Sequence, residues 1–203
     1  MAKQKQGQDE TYWDEKLDQA THQRNCHKRD AVNKAARFII NYCLNHGIGN
    51  IVFGWNDRQK DSINIGKRNN QNFVQIPTAR LKNRIQQLAE TYGIKFLETE
   101  EAYTSQASFL DHDLVPRHGE KPSQYEFSGQ RIKRGLYQDS KGQLINADAN
   151  GAANILRKVA TQVGINLSKV GKGLLTVPKR YFLTNLSKSY RKRAQTRLQT
   201  VGA

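Results

Sequence analysis

Apolar residues recur along this chain at two spacings, and the switches between them outline its elements. Tyr12 to Arg29 is charged, with Trp13, Leu17 and Ala20 as its few apolar anchors. It reads as a helix that can bury little on its own. From His27 to Asn45 the pattern strengthens. Val32, Ala36, Ile39 and Cys43 form one helical stripe, with Ala35 and Ile40 beside it. Asn45-His46-Gly47 closes that helix, because Gly47 suits the left-handed residue after a cap. Ile48 to Trp55 is the clearest strand, built on Ile51, Val52 and Phe53 and closed by Gly54 and Asn56-Asp57. So short and continuous an apolar run predicts a buried central strand.

A further helix is predicted from Pro77 or Thr78 to about Tyr92, with Leu81, Ile85, Leu88, Ala89 and Tyr92 on its buried face. Gly93 ends it, and Ile94 to Leu97 then forms a strand that ends at Glu98. Helix, glycine and strand in that order is the wiring of an α/β fold. Residues 107–140 have no clear period, and Asp111, Asp113, Pro116, Pro122 and Gly129 mark them as loop. Residues 136–146 predict a small hairpin turning at Ser140-Lys141-Gly142. Asp148 opens the last core helix, which runs to about Val163 with Ala152, Ile155, Leu156 and Val159 at helical spacing. An aspartate suits a helix start because its carboxylate accepts from free backbone N–H groups. Beyond Gly164 the tail is basic and broken by Pro178. Tyr181, Phe182 and Tyr190 are interleaved in it, and they are expected to pin it to the core. Residues 1–10 are polar and predict disorder.

Composition changes this picture mainly through charge. At 203 residues the chain is one domain or one and a half. We divide it into a tail and charged helix (1–26), an α/β domain (27–163) with a loop-rich insertion at 107–140, and a basic C-terminal tail (164–203). The net charge is +15. After Asp148 there is no Asp or Glu, while Lys and Arg recur from Arg157 and Lys158 through Lys169, Lys172, Lys179 and Arg180 to Arg197. One-sided basicity of this kind favours a polyanion partner, most simply nucleic acid. Lys67, Arg68, Asn70 and Gln71, in the polar stretch Arg58 to Asn72, combine cations with amides that suit phosphate, sugar and base edges, although an ordinary polar loop fits them equally. Arg131, Lys133 and Arg134 form a second basic cluster. Cys26 and Cys43 make no CxxC pair and no disulfide framework, which fits a reducing interior, and the expected location is cytoplasmic, associated with the nucleoid. Cys43, on an apolar helical face, reads as core. No apolar run is long enough to span a membrane, and the polar start has no signal-peptide core.

Two acids stand out against this background. Glu98 ends a strand and Asp148 starts a helix, and such positions can converge at the edge of an α/β sheet, where ligands bind. Hydrolysis of a phosphodiester needs neutralised phosphate charge and an activated water. Carboxylate-held magnesium or manganese provides both. A two-metal site usually takes three or more acidic ligands, and Glu100 and Glu101 are weaker candidates, since one of them points away on any continuation of the strand. Taken alone, a glutamate at a strand end is more often a surface residue or an ion-pair partner.

Four stretches together carry a family resemblance: Asn69-Asn70-Gln71-Asn72-Phe73-Val74-Gln75-Ile76-Pro77, Tyr103-Thr104-Ser105-Gln106-Ala107-Ser108-Phe109-Leu110-Asp111, Phe127-Ser128-Gly129-Gln130-Arg131-Ile132-Lys133-Arg134-Gly135-Leu136-Tyr137 and Ile145-Asn146-Ala147-Asp148-Ala149-Asn150-Gly151. From about Trp13 to Val159 the chain resembles the TnpB (OrfB) family of transposon-encoded RNA-guided nucleases. The resemblance implies an RNase-H-like (RuvC-like) mixed sheet flanked by helices, incomplete at the N-terminus. It implies a metal-dependent DNA endonuclease involved in transposition. Glu98 matches the family's second catalytic and metal-binding acid and Asp148 the third, with magnesium or manganese as cofactor. DNA and a guide RNA are the implied partners, touched by Lys67, Arg68, Asn70, Gln71, Arg131, Lys133 and Arg134. Two departures follow. Nothing before Tyr12 resembles the strand that carries the family's first catalytic Asp, and Asp9 and Asp14 sit in the wrong setting. The chain is therefore expected to be weak or inactive alone, with a separately encoded N-terminal part or a full-length relative as a further partner. The alternatives are a non-catalytic nucleic-acid-binding regulator and a relic without function. Residues 107–140 lack the four cysteines of the zinc ribbon that many members carry, so no zinc is expected, and His112 and His118 read as exposed loop histidines.

Overall fold

A computed structural model of the chain describes residues 15–56 and 77–182. The first helix, α1 (Glu15–Asn45), is one continuous rod of 31 residues rather than two adjoining segments. No Gly or Pro falls inside it, so nothing interrupts its hydrogen-bond ladder. Only its C-terminal half is anchored, through buried Ala36, Ile40 and Cys43. It ends as the sequence predicts. Gly47 takes a φ of +64°, and the Ile48 N–H turns back onto the Cys43 carbonyl at 2.9 Å.

Strand β1 (Asn50–Gly54) follows, then helix α2 (Thr78–Thr91) and strand β2 (Lys95–Thr99). Gly93, at φ +69°, makes the turn between α2 and β2. The two strands pair in parallel, with Ile51 opposite Phe96, Phe53 opposite Glu98 and Gly54 opposite Thr99. Side chains alternate across a strand, so each sheet face carries every second residue. Ile51, Phe53 and Phe96 face a core made by Ala36, Ile40 and Cys43 of α1, Ile85, Leu88 and Ala89 of α2, and Ile94. Gly54, of the opposite parity, meets Ile155 of the last long helix. The parallel pair is thus sandwiched between α1 and α2 on one face and that helix on the other. The sequence predicts a buried central strand at 48–55. Instead β1 is half-buried and pairs on one side only among the described residues.

A second, antiparallel sheet contains β3 (Gln130–Lys133), β4 (Leu136–Gln138) and β5 (Leu144–Asn146), in that order. The hairpin expected at 136–146 is β4 and β5, turning through Gly142. The stretch expected to be loop to residue 140 therefore stops being loop at Gln130. Strand β3 escapes sequence reading because all four of its residues are exposed, so it carries no apolar alternation. Helix α3 (Ala147–Val163) follows directly, and a short helix α4 (Lys172–Thr176) buries Leu175 with Phe109, Tyr137, Ile145 and Ala147 in a second core. The residues just past Gly164 thus belong to the packed body. Tyr181 packs on Phe38 of α1, as expected of an aromatic that ties the tail to the core, with the rings tilted and their centroids 4.6 Å apart. Phe182 is exposed, and Tyr190 lies outside the described residues. The architecture is mixed α/β, a small parallel sheet and an antiparallel sheet with helices. Among the described residues, no helix is long and apolar enough to cross a membrane.

Gly129 sits where a Cβ would lie 2.5 Å from the Gln138 carbonyl and 2.8 Å from the Tyr137 hydroxyl. Neither can retreat cheaply, since one is backbone of β4 and the other is fully buried. Gly129→Ala is therefore expected to destabilise the protein by about 2 kcal/mol or more. Chemical denaturation should show a lower midpoint at unchanged slope.

Candidate functional site

The start of α3 is built differently from the expectation. Asn146, not Asp148, is the cap, and its side-chain oxygen accepts from the N–H groups of Asp148 at 3.0 Å and Ala149 at 2.9 Å. Two residues earlier is the better place for a cap, because a side chain there reaches the free N–H groups of the first turn. Asp148 thus sits inside the first turn with its carboxylate left out of the cap. Its side chain is 85% exposed, and its nearest cation is Arg131 of β3, at 3.8 Å.

Glu98 stands elsewhere. It follows Phe96 by two residues on β2, so it faces the α1–α2 layer. There its Oε2 accepts from Lys82 Nζ at 2.7 Å, and Lys82 lies over the Trp55 ring at 4.6 Å. Asp148 belongs to the helix on the other face. The two acids share no ion-pair partner among the described residues: Lys82 holds Glu98, and Arg131 stands beside Asp148.

The acids on the α3 side are Glu100 and Glu101. The Glu101 N–H donates to the Asn56 side chain at 3.1 Å. Its Oε2 lies 3.1 Å from where a Cβ on Gly54 would be, so this carboxylate occupies the space that the glycine leaves open. Glu100 accepts from the His118 N–H at 2.7 Å. Strand alternation ranked both below Glu98, but β2 stops at Thr99, and beyond it alternation no longer dictates direction. The available signal was Gly54, the residue opposite Thr99 with no side chain of its own. Among the described residues no three His, Cys, Asp or Glu side chains come together as a metal ion requires, so these residues alone do not complete a site for magnesium or manganese.

The loop between β2 and β3 is held by polar side chains aimed at its backbone. Asn150 and Asn154, one turn apart on α3, are fully buried. The Asn150 Nδ2 donates to the Ala107 carbonyl at 2.8 Å, and its Oδ1 accepts from the Phe109 N–H at 3.0 Å. The Asn154 Nδ2 donates to the carbonyls of Thr104 at 2.9 Å and Ala107 at 2.7 Å. Asp113 gathers the rest. Its carboxylate accepts from the Ser108 N–H at 2.7 Å and from the N–H and hydroxyl of Ser128. Arg157 reaches the Asp113 carbonyl and Lys158 the Pro116 carbonyl. Burial lowers the pKa of both, Asp113 opposing this at Arg157 and Glu100 at Lys158. These two cations, counted with the basic tail in the sequence, are thus engaged with the loop.

Arg131, Lys133 and Arg134 are exposed along β3 and the turn after it, and Lys67, Arg68, Asn70 and Gln71 lie outside the described residues. His112 is exposed, with a φ of +59°. Cys43 is buried as expected, and burial raises its pKa. No protein-family model matches the sequence, and no curated protein matches it either.

Asn150→Ala leaves the Ala107 carbonyl with one partner fewer and strands the Phe109 N–H, and should cost about 3 kcal/mol in a denaturation experiment. A pH effect follows from Asp111. Burial raises its pKa, but hydrogen bonds from Ser108 and Ser140, with Lys141 nearby, outweigh this and lower it. A carboxylate whose pKa is depressed on folding stabilises the fold above its unfolded pKa, and that contribution is lost as pH falls through the folded value. Stability should therefore drop as the pH falls below about 4. Ser140→Ala, which removes a hydroxyl 2.5 Å from Asp111 Oδ1, should make that drop shallower in melts across the acid range.

Proposed function

We propose that this chain handles nucleic acid, as the C-terminal portion of a TnpB-like, RuvC-type DNA endonuclease that works with a guide RNA in DNA transposition. The observation that supports this best is the setting of Asp148. It is an exposed carboxylate, free of the helix cap, beside an exposed edge strand carrying Arg131 and Lys133. Arg134 continues the same basic edge. An RNase-H-like arrangement accounts for a parallel pair lying between helices on both faces. Asp148 is the acid nearest to where a phosphate held by that edge would lie. Its acidic companion is Glu101 or Glu100 rather than Glu98, because those two share its face of the sheet while Lys82 holds Glu98 on the other. Magnesium or manganese enters only through the family resemblance, since the described residues do not complete a site. Further carboxylates, from other segments or from a separately encoded part, belong to the same proposal, as does a cytoplasmic location at the nucleoid.

A second reading is a nucleic-acid-binding accessory without catalysis. The lack of a three-acid cluster among the described residues and the Lys82–Glu98 ion pair favour it. Magnesium-dependent nicking that Asp148→Ala abolishes, and that Glu101→Gln lowers more than Glu98→Gln, would select the nuclease. Binding that survives Asp148→Asn with no nicking would select the accessory.

Either way, DNA affinity is expected to fall steeply between about 50 and 200 mM salt. The triple substitution Arg131→Ala, Lys133→Ala and Arg134→Ala should weaken binding about tenfold and flatten the log–log salt slope by about 0.9 for each phosphate that is no longer neutralised. Affinity that ignores salt would sink both readings.

A further inference from the structure

Away from Asp148, a cleft of about 190 Å³ lies between the middle of α1 and the start of α2. Lys28, Arg29, Val32 and Asn33 line it from α1, and Arg80 and Arg84 of α2 with Pro77 just before it line the other wall. Four of these seven side chains are cations, and no carboxylate lines the cleft among the described residues. None of the four belongs to an ion pair among the described residues. The nearest acid in sequence, Asp30, is already held by Lys34. Arg84 donates through one terminal nitrogen to Gln87, while its Nε is buried without a hydrogen-bond partner. Arg80 and Arg84 are one turn apart, so both guanidinium groups project along the same side of α2. The end of α2 beside them adds to the field. Pro77 provides no side-chain cap, and the first turn contains no acid. The N–H groups of Thr78 to Arg80 have no carbonyl behind them within the helix, and that end of the helix is positive.

Concentrated positive charge that meets no counterion among the described residues is electrostatically costly unless an anion relieves it. Two neighbouring guanidinium forks match the paired oxygens of a phosphate, which they can hold through parallel hydrogen bonds. We propose that this cleft is a phosphate-binding subsite that takes a backbone phosphate of a polynucleotide, separate from the basic edge of β3. The polynucleotide rests on the function proposed above, whereas the phosphate chemistry rests on the cleft itself.

Two titrations on the intact chain test this. In the first, inorganic pyrophosphate is added while the side-chain Nε–Hε signals of Arg80 and Arg84 are followed by NMR. Saturable shifts, absent in Arg80→Gln/Arg84→Gln, support the subsite, and unmoved signals overturn it. In the second, binding of a short fluorescein-labelled oligodeoxythymidylate is measured across a salt series. The double variant should bind about tenfold more weakly, with a slope shallower by about 0.7 for each phosphate that the cleft no longer neutralises. Lys95→Gln/Lys141→Gln, a charge-matched control outside the cleft, should change little. DNA binding by the unaltered chain that the cleft variant leaves intact overturns the subsite and spares the proposed function. Pyrophosphate shifts without any DNA binding would keep the phosphate chemistry and overturn the polynucleotide. Equal binding of poly-glutamate at the same ionic strength would overturn phosphate in favour of an acidic protein. Lys28→Gln/Arg29→Gln, on the other wall, gives the same readouts should the first variant fold poorly.

Discussion

The organisation of this protein depends on a grip that one helix exerts on backbone. Asn150 and Asn154 point from the same side of α3 into the loop after β2, and each uses its amide on main-chain groups rather than on side chains. A long loop inside a packed body leaves peptide groups that must find partners, and burying them unpaired is costly. Two asparagines supply those partners at the cost of burying two amides. The Asn154 Oδ1 is left without a partner. With the loop held, Phe109 enters the second core and Asp113 can gather the segment up to Ser128. The loop thereby becomes the bridge between the two sheets.

This grip also gives physical content to the sequence stretches that stood out. Thr104 to Phe109 and Ala147 to Asn154 are far apart in the chain, yet they are the two halves of one hydrogen-bonded joint. Gly151 lies between the two asparagines, and a Cβ there would come within 3.9 Å of the Thr104 carbonyl. The joint explains why those residue types belong together without assigning either stretch a role in chemistry. Asp148 is different. Nothing in the packing requires it, since Asn146 caps the helix and the carboxylate reaches outward.

Much of the parallel-sheet half was legible in the sequence. Strand β1, helix α2, Gly93 and strand β2 lie within a residue or two of expectation, because each has apolar periodicity and a glycine or proline stop. The antiparallel half was less so. Strand β3 is wholly exposed, and α4 has a single buried anchor in Leu175, so neither leaves a pattern to read. The site was harder still. Glu98 attracted attention because the strand ends there, but its direction is decided by which face α1 and α2 cover, and that is a tertiary fact. Glu101 is placed by the room that Gly54 leaves for its carboxylate, which no local pattern encodes.

Because the asparagine amides hold carbonyl oxygens and an N–H rather than side chains, the joint does not read the identity of most loop residues. Ser105 and Gln106 sit exposed between the gripped groups, and much of 114–126 is exposed as well. The loop can therefore drift in sequence while its path stays the same. In this protein, shape is inherited from the helix and surface chemistry from the loop. The two can evolve separately, so a change in the loop's surface need not pass through a less stable fold.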